Sequence, residues 1–391
     1  MKLCRFTVDG RTRPGKIVGG TVVDLTRAAP GCGDSGWRYL RSGGTRALVA
    51  SGLAIASLSS AGVAAASLVE APSAAPLPPP RTSCDRQCLV SIADRYFAAA
   101  LARDTTRLPL DPAVRMTENT EALPVGQGLL WRGLSAPLGK FRIDVVDPES
   151  GQIAIGIVAK IGGQPYLTAV RLKVRNNRIV EIEQLLANNI QPLAMPNLVE
   201  PRRPLLEDVP PSERNTRADM VRIANSYFDA LTSEDSSRSY FAPDCVRHEM
   251  GLRTTGNKAP LNLMLPANVP VEAQQRMRIL MNGITVRNCR EQIDSGAFAD
   301  LQKVEPRRPI VVDVEKGLVA AFPMFIQNGD VRPSKLVGYP GLDRLPAPLP
   351  FTTQWLEIFK IHGGMIHEIE APVMLPLYYG AGNGWDLGSG Q

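Results

Sequence analysis

The 391-residue chain is poor in the residues that usually declare a chemistry. Its three histidines, His248, His362 and His367, are too few for a histidine-rich metal centre. No HExxH, GxSxG or glycine-rich phosphate loop occurs. That removes zinc peptidases, hydrolases built on a nucleophile elbow, and P-loop enzymes. Neither a metal nor a cofactor is therefore expected. The six cysteines are too few for a disulfide scaffold at this length, and none forms a CxxC pair. Cys84 and Cys88 stand four apart, a spacing at which two thiols on a regular helix rarely meet well enough to bridge. Cys245 and Cys289 can pair across a loop in an exported protein, or remain buried thiols.

A surplus of charge is also lacking where it would matter. The formal +6 sits wholly in residues 1–50, where nine basic side chains face Asp9, Asp24 and Asp34. The rest of the chain is neutral, with no basic stripe to follow a phosphate backbone, so nucleic-acid binding is not expected. Residues 47–67 are Ala- and Ser-rich and too weakly apolar for stable membrane insertion. Three arginines precede them and small residues follow, as in a secretory signal, but they begin more than forty residues into the chain. A cytoplasmic chain is the reading favoured, with export as the alternative.

The first 26 residues read as strands around Asp-Gly and Gly-Gly turns, in a segment 1–70 joined by a Pro-rich linker, 71–83. This opening, MKLCRFTVDGRTRPGKIVGGTVVDLT, resembles the N-terminal β domain of fumarylacetoacetate-hydrolase-like proteins. The catalytic domain of that family, with its paired metal-binding glutamates, does not follow.

What the chain does have is an internal repeat. Ile92-Ala-Asp-Arg-Tyr-Phe matches Ile223-Ala-Asn-Ser-Tyr-Phe, and both carry apolar stripes at helical spacing. Leu89, Ile92, Ala93, Tyr96, Phe97 and Leu101 form the first stripe. Met220, Ile223, Ala224, Tyr227, Phe228 and Leu231 form the second, with Thr216 and Asp219 as a capping pair. Val114-Arg115 and Val246-Arg247 follow at similar distances. Lys173–Glu183 then aligns without gaps on Lys360–Glu370, each around an Asn-Asn or Gly-Gly turn. Between these landmarks run strand segments separated by turn residues, with insertions in the second copy near residues 252–286 and 330–350.

The CDRQCL start, RLPL and VRMTEN, the Cys289–Gly296 segment and FTTQWLEIFKI together resemble a tandem SnoaL-like family of the nuclear transport factor 2-like superfamily. The resemblance implies an α+β chain of two cone-shaped barrels, 84–200 and 210–385, each a helix held in a curved antiparallel sheet. It also implies sheet-to-sheet association, as a homodimer or within one chain. Such folds host dehydratases, isomerases, cyclases, lyases and plain binders, so the fold does not name the reaction.

A cofactor-free reaction at the open end of a cone needs a base and a donor for the developing oxyanion. A carboxylate raised by burial or a histidine supplies the first, and Tyr or Arg the second. The catalytic candidates are Glu118, Arg115, Tyr227, Arg247, His248 and Glu249; the substrate-binding candidates are Tyr96, Asn119, Trp131, Tyr240, Arg290 and Trp355. Neighbours on a strand face opposite ways, so Arg247 and Glu249 face inward together, or His248 does. Each has a plainer alternative: Tyr96 and Tyr227 as core, Arg247 and Glu249 as a surface ion pair, His362 as an exposed turn residue. The expected activity is that of a lyase, dehydratase or isomerase on a small hydrophobic, aromatic or polyketide-like molecule. The competing expectation is a non-catalytic binding or assembly protein.

Overall fold

The computed structural model describes residues 84–258, 261, 263–264, 270–299, 301–327, 337 and 350–385, with the backbone of 2–8, 11–18, 21–24 and 39–40. Contacts divide the chain into Met1–Ala75 and Pro76–Gln391. The first unit is a four-stranded meander of β1 (Lys2–Val8), β2 (Arg11–Val18), β3 (Thr21–Asp24) and β4 (Tyr39–Leu40). Val8 pairs with Arg11 and Val18 with Thr21, which leaves two residues for each of the turns read from the sequence. The signal-like stretch and the Pro-rich linker lie outside the described residues.

The second unit is mixed α+β, and its two halves repeat one order of elements. In the first half α1 (Arg86–Ala102) precedes β5 (Leu110–Glu118), β6 (Glu121–Ala122), α2 (Leu129–Gly133), β7 (Arg142–Asp147), β8 (Gln152–Ile161), β9 (Gln164–Arg175) and β10 (Arg178–Ala187). In the second, α3 (Arg217–Ser233) leads to β11 (Phe241–Glu249), β12 (Leu252–Arg253), the inserted α4 (Val271–Thr285) and α5 (Cys289–Ile293). β13 (Leu301–Val304), β14 (Pro309–Asp313), β15 (Leu318–Ala321), β16 (Met324–Gln327), β17 (Phe351–His362) and β18 (Met365–Tyr378) complete it. The sheet orders are β6-β5-β10-β9-β8-β7 and β12-β11-β18-β17-β15-β14. Among the described residues only β5 with β10 and β11 with β18 run parallel, so both sheets are mixed.

The same local chemistry sets both long helices. Asp85 caps α1 by accepting from Cys88 N, and Thr216 caps α3 by accepting from Asp219 N. Both helices end on a left-handed residue, Arg103 and Glu234. The stripe residues Leu89, Ile92, Tyr96 and Phe97 bury against one sheet, and Met220, Ile223, Tyr227 and Phe228 against the other. Since the spared faces of the two sheets share a third apolar cluster, the layers run helices, sheet, sheet, helices. Ile143, Val145 and Leu185 of the first half meet Leu318, Leu356 and Ile358 of the second there.

The join is reciprocal. Arg86, first residue of α1, pairs with Asp313 at the end of β14 (2.9 Å), and Arg217, first residue of α3, pairs with Asp147 at the end of β7 (2.7 Å). Asp313 also accepts from Val146 N at 3.2 Å, and Asp147 from Val312 N at 3.0 Å. This is the two-fold logic of an isologous interface, contained in one chain. The sheet faces expected to carry a homodimer are therefore already covered by each other. Between them the buried Glu183 carboxylate is held by Arg171 (2.8 Å) and Arg308 (2.7 Å), which keep it ionised and its pKa below the usual range despite burial.

Both described cysteine pairs are bridged, Cys84 to Cys88 and Cys245 to Cys289. The first corrects the expectation from helical spacing. Cys84 lies before the Asp85 cap, outside the helix, so its Cα comes within 5.2 Å of that of Cys88. The second bridge ties β11 to α5.

Candidate functional site

Inside the first half most buried polar groups answer one another, Gln184 Oε1 being left over. The Tyr96 hydroxyl is fully buried and accepts from Trp131 Nε1 at 2.8 Å and from Gln184 Nε2. Burial pushes Tyr96 ionisation upward, so it stays a neutral phenol. Glu118 accepts from Leu129 N (2.5 Å) and Leu130 N (3.0 Å), capping α2 with both carboxylate oxygens. Gly128, at φ 95°, permits that approach, because a Cβ there would stand 2.8 Å from the carboxyl. Asn119 at φ 48° trades hydrogen bonds with the Leu186 backbone. Arg115 stacks on Trp385 at 4.5 Å. Of the candidates in this half, Glu118, Asn119, Tyr96 and Trp131 are engaged in holding the fold.

The second half is built differently. Its register settles which residues correspond. β10 sets Glu181 against Arg115 and Gln184 against Glu118; β18 sets Glu368 against Val246 and Ala371 against Glu249. With Lys173–Glu183 aligned on Lys360–Glu370, Arg247 takes the place of Met116, Glu249 that of Glu118, Ala371 that of Gln184 and Glu357 that of Val170. The sequence pairing of Arg115 with Arg247 is thus one residue out.

Arg247 and Glu249 turn inward together and form an ion pair, with Arg247 buried and the Glu249 side chain 20% exposed. Arg247 also donates to Gln292 of α5 at 3.2 Å, beside the Cys245–Cys289 bridge. Glu357 on β17 is fully buried, and neither of its carboxylate oxygens has a hydrogen-bond partner. Burial pushes its pKa up to about 8; Arg247 opposes the rise and Glu249 adds to it. The Tyr227 hydroxyl and Arg247 Nε are likewise buried and make no well-formed hydrogen bond, although the phenol and the guanidinium lie within reach of each other. Burial raises Tyr227 too, with Arg247 near enough to pull the other way. Rings wall the cluster: Phe228, Phe241 and Phe359 lie edge-on to Tyr227 at 5.3–6.2 Å.

Glu357 was not among the residues singled out from the sequence. The signal was present. On β17 the inward positions Trp355, Glu357, Phe359 and Ile361 alternate with outward ones, and one carboxylate interrupts that otherwise apolar stripe.

His248 faces away from Arg247 and Glu249. It is buried beside Arg202 and Arg253, and burial with those two cations depresses its pKa to about 3. Tyr240 is exposed under Arg222, and Arg290 donates to Phe241 O at 2.7 Å from the surface. Trp355 packs on Phe325 and donates to Thr353 Oγ1 at 2.7 Å. Elsewhere, His362 and His367 stack at 3.7 Å in a cleft of about 270 Å³, with Nδ1 atoms on Glu213 (3.0 Å) and Asp244 (2.7 Å). His362 is thus half-buried rather than an exposed turn residue. Among the described residues no three His, Cys, Asp or Glu side chains gather as metal ligands, and no helix is long and apolar enough to cross a membrane.

A family model described as a domain of unknown function, DUF8021, matches residues 213–373, from just before α3 into β18. No curated protein matches. Among solved structures, an NTF2-like protein of unknown function from Cytophaga hutchinsonii is similar at 8% identity and a TM-score of 0.21. The match covers 27% of this chain and 94% of that one.

Proposed function

We propose that residues 84–385 are two SnoaL-like cones fused back to back, and that the second is a cofactor-independent acid–base site. The carrying observation is Glu357, a wholly buried carboxyl with no partner, set in a ring-walled interior with Arg247 and Tyr227. A carboxyl titrating near pH 8 holds a proton at neutrality and can give or take one there. Arg247 and the Tyr227 phenol supply donors for an oxygen that gains negative charge. Those roles suit a lyase, dehydratase or isomerase acting on a small hydrophobic molecule.

Glu249, partly exposed and paired with Arg247, marks where this interior reaches solvent. Gln292 holds Arg247 from α5, and the Cys245–Cys289 bridge holds α5 to the strand that carries Arg247. The two disulfides favour maturation in an oxidising compartment over the cytoplasm.

The test is turnover. Purified, oxidised protein is screened against small aromatic and alicyclic carbonyl and hydroxy compounds, following water release, fragment release or double-bond migration. Turnover that Glu357→Gln abolishes supports the reading. Turnover indifferent to Glu357, Arg247 and Tyr227 would sink it. The second reading is a non-catalytic binder, favoured by the closed first half. It predicts ligand retention with no chemistry.

A further inference from the structure

The second interior carries information about the charge of what enters it, and this step rests on the proposed site. Its titratable groups are Arg247, Glu249, Glu357 and Tyr227. Arg247 and Glu249 cancel as an ion pair. Tyr227 is a neutral phenol, and Glu357 has no cation paired to it by a hydrogen bond or salt bridge. With the unpaired Glu357 carboxyl protonated, as its burial favours, the interior is neutral as a whole. Four of its atoms make no well-formed hydrogen bond, Tyr227 Oη, Arg247 Nε and both oxygens of Glu357, although the phenol and the guanidinium lie within reach of each other. Burying a polar atom without a partner is unfavourable, and a bound group that meets it recovers that cost.

A ligand carboxylate would meet Arg247 but would also face Glu249, which already occupies that guanidinium. A ligand ammonium would meet Glu357, yet stand beside Arg247 and lose its own hydration in an aromatic enclosure. An uncharged hydroxyl or carbonyl oxygen can accept from Tyr227 or Arg247, and a hydroxyl can also donate to Glu357, without adding a charge. In the first half the same place is closed: Val170 stands where Glu357 does, Met116 where Arg247 does, and Tyr96 is already satisfied by Trp131 and Gln184.

We propose that the second half selects an uncharged molecule with an apolar body and a hydroxyl or carbonyl oxygen, and that the corresponding interior of the first half, around Tyr96, takes none. Molecules of the same size bearing a carboxylate or an ammonium are rejected at this site.

The experiment is calorimetric titration of the full oxidised chain at pH 7 with four matched probes: 4-ethylphenol, ethylbenzene, 4-ethylbenzoate and 4-ethylbenzylamine. A parallel set with methyl in place of ethyl covers a smaller enclosure. The phenol is expected to bind at least tenfold tighter than the other three, with one site per chain. Glu357→Leu should weaken the phenol about tenfold, Glu357→Gln by threefold or less, and Gln184→Ala not at all.

Tighter benzoate binding would overturn the proposal in favour of an anion site on Arg247. Equal binding of ethylbenzene would reduce the interior to an apolar enclosure, and absence of binding by every probe would make it a closed core. Phenol selectivity without any turnover keeps this inference and sinks the catalytic one; turnover of a charged substrate does the reverse.

Discussion

Tyr96 and Tyr227 occupy the same place in the two halves, on the same turn of the same helix, and each is fully buried. Around Tyr96 the protein supplies Trp131 and Gln184 as donors. Around Tyr227 the corresponding strand position holds Ala371, and the hydroxyl has only the nearby Arg247 guanidinium, with no well-formed hydrogen bond, and the buried Glu357 carboxyl for company. The first interior leaves one polar atom of this cluster open, Gln184 Oε1, where the second leaves four. Structural sites satisfy their buried polar groups, whereas sites meant for a ligand carry that cost until the ligand arrives.

The comparison can be broken first by activity. Glu357→Gln should lower kcat on any substrate found by about 10²–10⁴-fold, the usual worth of a general acid or base, with folding intact by circular dichroism. Gln184→Ala, its counterpart control in the first half, should leave kcat unchanged. A reversal of those two results would move the site to the first half.

Next comes the reciprocal join. Asp147→Ala and Asp313→Ala each remove an arginine's buried partner, leaving it only a more exposed glutamate, and unpair a buried backbone N–H, so each should cost about 2–4 kcal/mol in urea unfolding. Their losses should agree closely; a large inequality would mean that the pseudo-two-fold is geometric only.

Two buried groups of the second half make opposite pH signatures. The Glu357 pKa is raised to about 8, so the folded state keeps a proton that the unfolded chain loses. Its contribution is full below the unfolded value near 4.3 and is lost as pH rises towards 8, a few kcal/mol in all. His248 is depressed to about 3, so its contribution is present above about 6.5 and fades as pH falls from there. Denaturation midpoints between pH 4 and 9 should flatten on the alkaline side in Glu357→Gln and on the acid side in His248→Gln.

The smallest contrast concerns the tyrosines themselves. Tyr96→Phe strands two buried donors and should cost about 1–3 kcal/mol, while Tyr227→Phe removes an unpartnered hydroxyl and should be neutral or stabilising. Equal costs in thermal melts would show that the two interiors are alike.

Much of the architecture was legible because it is periodic. The Tyr-Phe helices, the Thr216 cap of the second and the Asn-Asn and Gly-Gly hairpins all stand where the repeat put them. The inward pair of Arg247 and Glu249 was one of two readings that strand alternation left open, and tertiary burial chose between them. Other features depend on partners far along the chain. Glu118 looked like a mouth residue, but its carboxyl caps a helix eleven residues on. The Arg115–Arg247 match rested on a shared Val-Arg pair, and only pairing with β10 and β18 exposes the one-residue offset. Glu357 required knowing which face of β17 meets α3.

The Arg86–Asp313 and Arg217–Asp147 exchange has a further consequence. In a dimer of identical subunits every substitution is made twice, once on each side of the axis. Here the two sides are separate stretches of one polypeptide, held at fixed one-to-one ratio. A residue such as Glu357 can be introduced on one side alone, and the destabilisation it brings is borne by a partner that never needs to carry it.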